Sequence, residues 1–139
     1  MKKIIPIVLA FITIILLINK KEDYYIIPDE AIRLRILANS NSVYDQYIKT
    51  KVKQNIEEEL KNTISDYNTI ENSRKTIKES IPTYEKIVKE TLDKEEYNKS
   101  FTIDYGYHYF PEKEYKKVVY NEGYYESLLI TIGDGEGDN

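Results

Sequence analysis

The 139-residue sequence contains no cysteine and no tryptophan, and it has a single histidine. Without cysteine, the chain has no disulfide, no thiol nucleophile and no thiolate ligand for a metal. A lone histidine also argues against a zinc site. The net charge is −4 and no long basic run occurs, which argues against nucleic acid as the main partner. We therefore expect no metal centre, no cofactor and no nucleic-acid interface.

Fourteen tyrosines are the most conspicuous excess in the composition. Two explanations remain open. One is a codon bias toward A and T, which would also enrich isoleucine, lysine and asparagine. The other is a selected role for tyrosines at the protein surface, since composition is a prior and not a mechanism.

Residues 1–21 are interpreted as a signal or anchor segment. Residues 4–18 are apolar apart from Thr13, and lysines flank them on both sides. Such a stretch spans about 22 Å as a helix, less than the roughly 30 Å of a bilayer core. The pattern is typical of a signal peptide or a short membrane anchor. It predicts that the following domain is exported; cleavage of the segment stays open, and residues 22–30 are interpreted as a tether.

Residues 31–139 predict a single α+β domain that begins with a strand and a helix. Residues 32–38 alternate between two faces, as a strand does, with both arginines on the face away from the core. Apolar residues then recur at helical spacing over residues 43–64. The expected apolar stripe of this helix consists of Val43, Tyr47, Ile48, Val52, Ile56, Leu60 and Ile64.

A second helical region is expected after residue 68. Asn68 and Glu71 have the spacing of a capping box, and Pro82 is expected to start a new helical piece or to kink this one.

From Phe101 onward the apolar period changes to two, which predicts strands. Residues 115–120 and 125–132 are expected to form a hairpin with Gly123 in its loop. Helices followed by strands indicate an α+β fold, with helices on one face of a mostly antiparallel sheet.

No catalytic constellation is predicted. Asp104 and His108 share a strand face, but four residues of extended chain separate them by about 13 Å, so we expect no hydrogen bond between them. Residues 133–138 alternate glycine with acidic residues. A calcium loop spaces its ligands similarly but needs a later bidentate glutamate, so a flexible tail or turn is expected. Arg33 and Arg35 can either bind carboxylates of a partner or pair with acids of this chain.

Three stretches of the sequence resemble the stage II sporulation protein R family. The first combines the strand of residues 32–38 with Asn39-Ser40, Asp45-Gln46 and Lys49. The second is Phe110-Pro111 with Tyr115 after it. The third is Gly123, Tyr125 and Leu128, followed by Ile132-Gly133, Gly135, Gly137 and Asn139. The resemblance covers about residues 28–139.

The resemblance implies a signalling protein and not an enzyme. It implies export, anchored or secreted, to the space between forespore and mother cell. The partner there would be a membrane-embedded aspartic-type protease that processes a sigma-factor precursor, with no small-molecule substrate. The candidate partner-binding residues are Arg33, Arg35, Phe110, Tyr115 and Tyr125.

Two further points follow from the resemblance. The family continues past the position of Asn139 with a tryptophan-, cysteine- and proline-rich ending, which indicates a truncated gene product or an incomplete chain here. The alternatives to signalling are an exported envelope enzyme and a structural envelope module.

Overall fold

A computed structural model describes residues 25–26, 31–65 and 68–138. The predicted apolar segment of residues 1–21 lies outside these described residues. Within the described part, no helix is both long and apolar enough to cross a membrane.

The described residues form three helices and six strands. In chain order they are β1 (Tyr25–Ile26), β2 (Arg33–Leu37), α1 (Val43–Thr63), α2 (Ile70–Glu79), α3 (Ile81–Lys94), β3 (Phe101–Phe110), β4 (Lys113–Tyr115), β5 (Val118–Tyr120) and β6 (Gly123–Ile132). The prediction of an α+β fold is confirmed.

The main sheet has the strand order β2-β6-β3. The central strand β6 runs parallel to β2 and antiparallel to β3, and its register with β3 is continuous from Phe101 opposite Ile132 to Phe110 opposite Gly123. A small second sheet has the order β1-β5-β4. Its β1 pairs in parallel with β5, so two residues of the predicted tether are hydrogen-bonded to the domain.

The predicted hairpin between residues 115–120 and 125–132 is wrong. The observed hairpin joins β4 to β5 through Lys116 and Lys117, which both have positive φ angles of 48° and 65°. Strand β6 pairs with β3 and β2 instead. The two strands before it, β4 and β5, pair with each other and belong to the small sheet. The glycine expected in the hairpin loop, Gly123, is the first residue of β6.

The core lies between the helices and one face of the main sheet. Helices α1 and α3 each contribute a stripe of buried residues, α2 contributes Ile77, and β6 contributes alternate residues. The buried apolar side chains are Ile36, Ile48, Val52, Ile56, Ile77, Tyr84, Val88, Leu92, Tyr97, Leu128, Ile130 and Ile132.

The exposure of the first turn of α1, the N-cap of α2 and the start of α3 can be compared with the sequence predictions. Val43 and Tyr47 are 90% and 43% exposed, so the first turn of α1 extends beyond the core. The cap of α2 is Thr69, whose hydroxyl accepts from the Asn72 amide, and not Asn68. A new helix does begin beside Pro82: α3 starts at Ile81, and Pro82 lies in its first turn, where the missing N–H of proline costs nothing.

Candidate functional site

The main sheet extends beyond the helices at the end where β3 stops and β6 starts. On the helix-facing side of this extension lie Tyr107, Tyr109 and Tyr124, which are 70%, 45% and 72% exposed. The Tyr109 and Tyr124 rings pack edge to face with centroids 5.6 Å apart. A hydrogen bond to the Glu122 carboxylate raises the pKa of Tyr109. We call these three residues the tyrosine patch.

The opposite face of the same extension carries an arginine–aromatic cluster. The guanidinium carbon of Arg33 lies 3.5 Å from the ring centre of Tyr125, 5.1 Å from that of Phe110 and 5.6 Å from that of Tyr120. The Arg35 guanidinium carbon lies 5.1 Å from the centre of Phe110. Cation–π contacts of this kind stabilise a cation that has lost part of its water. The cluster is therefore a positively charged group held by aromatic rings.

Arg33 is unusual within the described part of the chain because two of its donors lack a hydrogen bond. Its Nε and Nη2 atoms are buried and neither has an acceptor. Unpaired buried donors are costly, and these two lie side by side on one edge of the guanidinium, the arrangement that takes a carboxylate through two parallel bonds. Arg35, by contrast, donates from Nη1 to the Tyr109 carbonyl oxygen at 3.0 Å.

The structure brings four of the five predicted partner-binding residues together. Arg33, Arg35, Phe110 and Tyr125 form the cluster, whereas Tyr115 lies on the separate β4–β5 hairpin, 56% exposed, with the Lys116 amine 5.2 Å from its ring centre. Phe110 and Tyr125 are only 9% and 3% exposed, so they hold the guanidinium groups and offer little surface of their own. That these residues bind a partner stays a prediction.

The sequence did not single out the tyrosine patch. Tyr107 and Tyr109 share a face of β3 with core residues such as Phe101 and Ile103. The alternation of apolar residues along the strand therefore predicted that both tyrosines belong to the core. Their exposure results from the lengths of the elements, because the helices end before the strands do. The high tyrosine content was the only signal in the sequence.

A Ser–His–Asp chain lies on the face of the main sheet away from the helices. The His108 Nε2 atom lies 2.8 Å from Asp104 Oδ2, and Nδ1 lies 2.5 Å from Ser127 Oγ. The expectation that Asp104 and His108 are too far apart was wrong, because both side chains lie on the same face of β3 and extend toward each other along the strand. Ser127 is fully buried and the Asp104 side chain is 71% exposed, the reverse of what an accessible nucleophile requires.

Residues 133–138 form a loop that begins with a turn at residues 133–134 and packs on the turn after β2. Of the two expectations, the turn is confirmed and the flexible tail was wrong. The loop donates backbone N–H groups to oxygens of that turn. The bonds are Asp134 to Asn39 Oδ1 at 2.9 Å, Glu136 to Asn39 O at 3.2 Å, Gly137 to Ala38 O at 3.0 Å and Asp138 to Asn41 Oδ1 at 2.7 Å. Gly133 and Gly135 have φ angles of 57° and 64°, which favour glycine.

Asp45 joins this turn to the helices. Its carboxylate accepts from Ser40 Oγ at 2.6 Å, from Asn39 Nδ2 at 2.9 Å and from the Tyr97 hydroxyl at 2.8 Å. These hydrogen bonds, that from Ser40 first, lower the pKa of Asp45 to about 2. Two of the stretches behind the family resemblance, residues 39–49 and the glycine loop, therefore form one hydrogen-bonded unit.

A partly buried ion pair connects α2 to the main sheet. Arg74 binds the Glu126 carboxylate through Nε at 2.5 Å and Nη2 at 2.9 Å. Glu126 is 7% exposed, and the hydrogen bonds from Arg74 lower its pKa. Across residues 31–65 and 68–138, no three side chains of metal-ligating type converge.

The chain was compared with known proteins. A family model described as stage II sporulation protein R matches residues 28–139. The chain belongs to the stage II sporulation protein R family. The protein of that name from Bacillus subtilis (strain 168) is 43% identical over 114 residues, which cover 82% of this chain and 51% of the relative. The chain thus spans about half the length of this curated relative. No solved structure matches it.

Proposed function

We propose that this protein is an exported sporulation signal that activates a membrane-embedded aspartic-type protease. The protease would then process a sigma-factor precursor across the boundary between forespore and mother cell. Family membership over residues 28–139 carries the sporulation role, and the resemblance set out above supplies the signalling step. The chain spans only about half the length of the relative. The activity described here is therefore our proposal for the whole protein.

A binding role fits the described residues better than catalysis does. Among the described residues, the Ser127–His108–Asp104 chain resembles a catalytic triad, but its serine has zero exposure, so a substrate carbonyl has no path to the hydroxyl. A signalling protein needs only a surface that binds one state of its partner more tightly than the other. Activation by this protein would then be a shift of the protease population toward its active state.

The tyrosine patch is the surface that we propose for the protease. Tyrosine supplies a large contact area with few rotatable bonds and a polar tip, which is why it is enriched at protein interfaces. Tyr107 and Tyr124 are the two most exposed members of the patch. Behind them, Arg33 and Arg35 would add positive charge that can bind an acidic segment of the protease.

The arginine–aromatic cluster would act in two ways. Phe110 and Tyr125 hold the guanidinium groups in place, and the guanidinium of Arg33, whose Nε and Nη2 atoms are buried in the single chain, would add its positive charge to this end of the sheet. Tyr115 on the separate β4–β5 hairpin would add an exposed ring for the partner.

The experiment compares surface variants in sporulating cells that lack the gene. The full-length protein carrying Tyr107→Ser and Tyr124→Ser is expected to be exported at normal level but to leave the sigma-factor precursor unprocessed. Tyr44→Ser is the matched control, because Tyr44 is 52% exposed in the first turn of α1, away from the patch. Full processing with the double variant would remove the patch from the interface. Normal processing in the absence of the gene would refute the function itself.

A further inference from the structure

The outer edge of β3 is long and regular. All ten residues from Phe101 to Phe110 pair with β6 in an unbroken register without a bulge. Within the part of the chain that the structure describes, β6 is the only strand that pairs with β3. An edge strand leaves half of its backbone N–H and C=O groups without a partner, and a second strand can bind to them.

This edge lacks the features that normally prevent such pairing. Between Phe101 and Phe110 there is no lysine, arginine or proline, and Asp104 is the only acidic residue. The other edge, β2, has two arginines in five residues. Gly106 lies near the middle of β3, and a Cβ atom added there would meet nothing within 4 Å. Glycine within a strand often marks a place where another backbone approaches.

We propose that β3 pairs antiparallel with β3 of a second copy of this chain, with Gly106 at the two-fold axis. This register is self-complementary. It places Asp104 opposite His108 of the second copy, and the same pair recurs on the other side of the axis. On the helix-facing side it places Tyr105 opposite Tyr107 of the second copy, an aromatic pair of the kind that stabilises sheets.

Charge distinguishes this register from its neighbour. If Tyr105 lay on the axis, Asp104 would face Gly106 of the second copy, and the two Asp104 carboxylates would approach each other. With Gly106 on the axis, each Asp104 carboxylate lies between two His108 rings, its own at 2.8 Å and that of the second copy. A strand of unrelated sequence would not place a histidine opposite Asp104 and an acidic residue opposite His108. This charge complementarity favours a second copy of the chain as the partner strand.

A cleft beside the edge provides space for the second strand. It has a volume of about 650 Å³ and lies between β3 and α3. Its lining residues are Pro82, Glu85, Lys86, Lys89, Phe101, Thr102 and Ile103. In the proposed register Ile103 lies opposite Tyr109 of the second copy, whose ring is 45% exposed in the single chain and would fill this cleft. The two main sheets would then join into one continuous sheet.

The absence of cysteine makes the register directly testable. The 139-residue chain is prepared with a single introduced cysteine and oxidised, in cells or in mild detergent. Gly106→Cys is expected to form a covalent dimer, because directly opposite residues have Cβ atoms about 5 Å apart. Thr102→Cys is the control: two copies of Thr102 would lie about 26 Å apart in this register and should not cross-link.

Two further experiments test the same pairing. A mixture of Ile103→Cys and Tyr109→Cys chains should give the mixed dimer in preference to either homodimer. Tyr107→Lys should weaken self-association about tenfold, since it removes two cross-strand aromatic pairs and adds charge at the edge. Equal cross-linking at residues 102 and 106 would overturn the proposal, because it indicates association by another surface. A Gly106→Cys chain that stays monomeric, or cross-links only to a different protein, would overturn it as well.

Discussion

Replacing Asp45 by asparagine tests whether one carboxylate joins the turn after β2 to the rest of the fold. The side chain keeps its size but loses its charge. Three donors then face a weaker acceptor: the Ser40 hydroxyl, the Asn39 amide and the Tyr97 hydroxyl. Since the glycine loop bonds to the same turn through Asn39, we expect the substitution to loosen both segments.

The magnitude follows from the pKa of this group. A decrease from the ordinary 3.8 to about 2 corresponds to roughly 2 kcal/mol of stabilisation. The carboxylate is partly exposed, so solvent screening reduces this to about 1–2 kcal/mol. Because the folded-state pKa of Asp45 is depressed, this stabilisation is present above pH 3.8 and is lost as the pH falls toward 2.

Urea denaturation of the full-length protein, followed by tyrosine fluorescence, measures the effect. Asp45→Asn should lower the free energy of unfolding by about 1–2 kcal/mol at pH 6, and the difference from wild type should shrink at pH 2.5. Asp93→Asn, at an exposed position near the end of α3, is the control and should change little. A loss equal at both pH values, or no loss at pH 6, would refute the role assigned to the carboxylate.

Three other substitutions have expected outcomes. Ile56→Ala, in the core at zero exposure, should lower the free energy of unfolding by about 2–5 kcal/mol in urea denaturation; a change below ~1 kcal/mol would contradict its placement. Gly137→Ala puts a Cβ atom 2.8 Å from the Ser40 carbonyl oxygen and should expose the glycine loop to limited proteolysis, which an unchanged digestion pattern would disprove. Glu126→Gln weakens the bond to Arg74 and should lower Tm at pH 7; because the pKa of Glu126 is depressed, the difference should narrow below about pH 4.5.

The sequence predicted the helical half of the fold well. Helical spacing of apolar residues and a proline in a first turn are local signals, and they located α1 and the start of α3 correctly. The order of the strands in the sheets does not follow their order in the sequence. Strand β6 pairs with β2 and β3, whereas β5, which directly precedes β6 in the sequence, belongs to the small sheet. The turn of the observed hairpin consists of Lys116 and Lys117, which have positive φ angles. Because neither is a glycine, the sequence did not mark this position as a turn.

The candidate site was predictable only in part. Period two placed Arg33 and Arg35 on the face away from the core, and the structure shows them there among aromatic rings. The exposure of Tyr107 and Tyr124 depends on where the helices end relative to the sheet. The residue pattern of one strand carries no information about that position. The Asp104–His108 contact depends on how far the two side chains extend along the strand, and an estimate from the rise per residue alone does not include that reach.

The most direct test of the central claim is sigma-factor precursor processing in sporulating cells that lack this gene. The account predicts that processing is lost and that it returns when the gene is restored with its export segment. Restoration by a version without residues 1–21 would contradict the requirement for export. Processing that continues at the normal rate without the gene would contradict the signalling function.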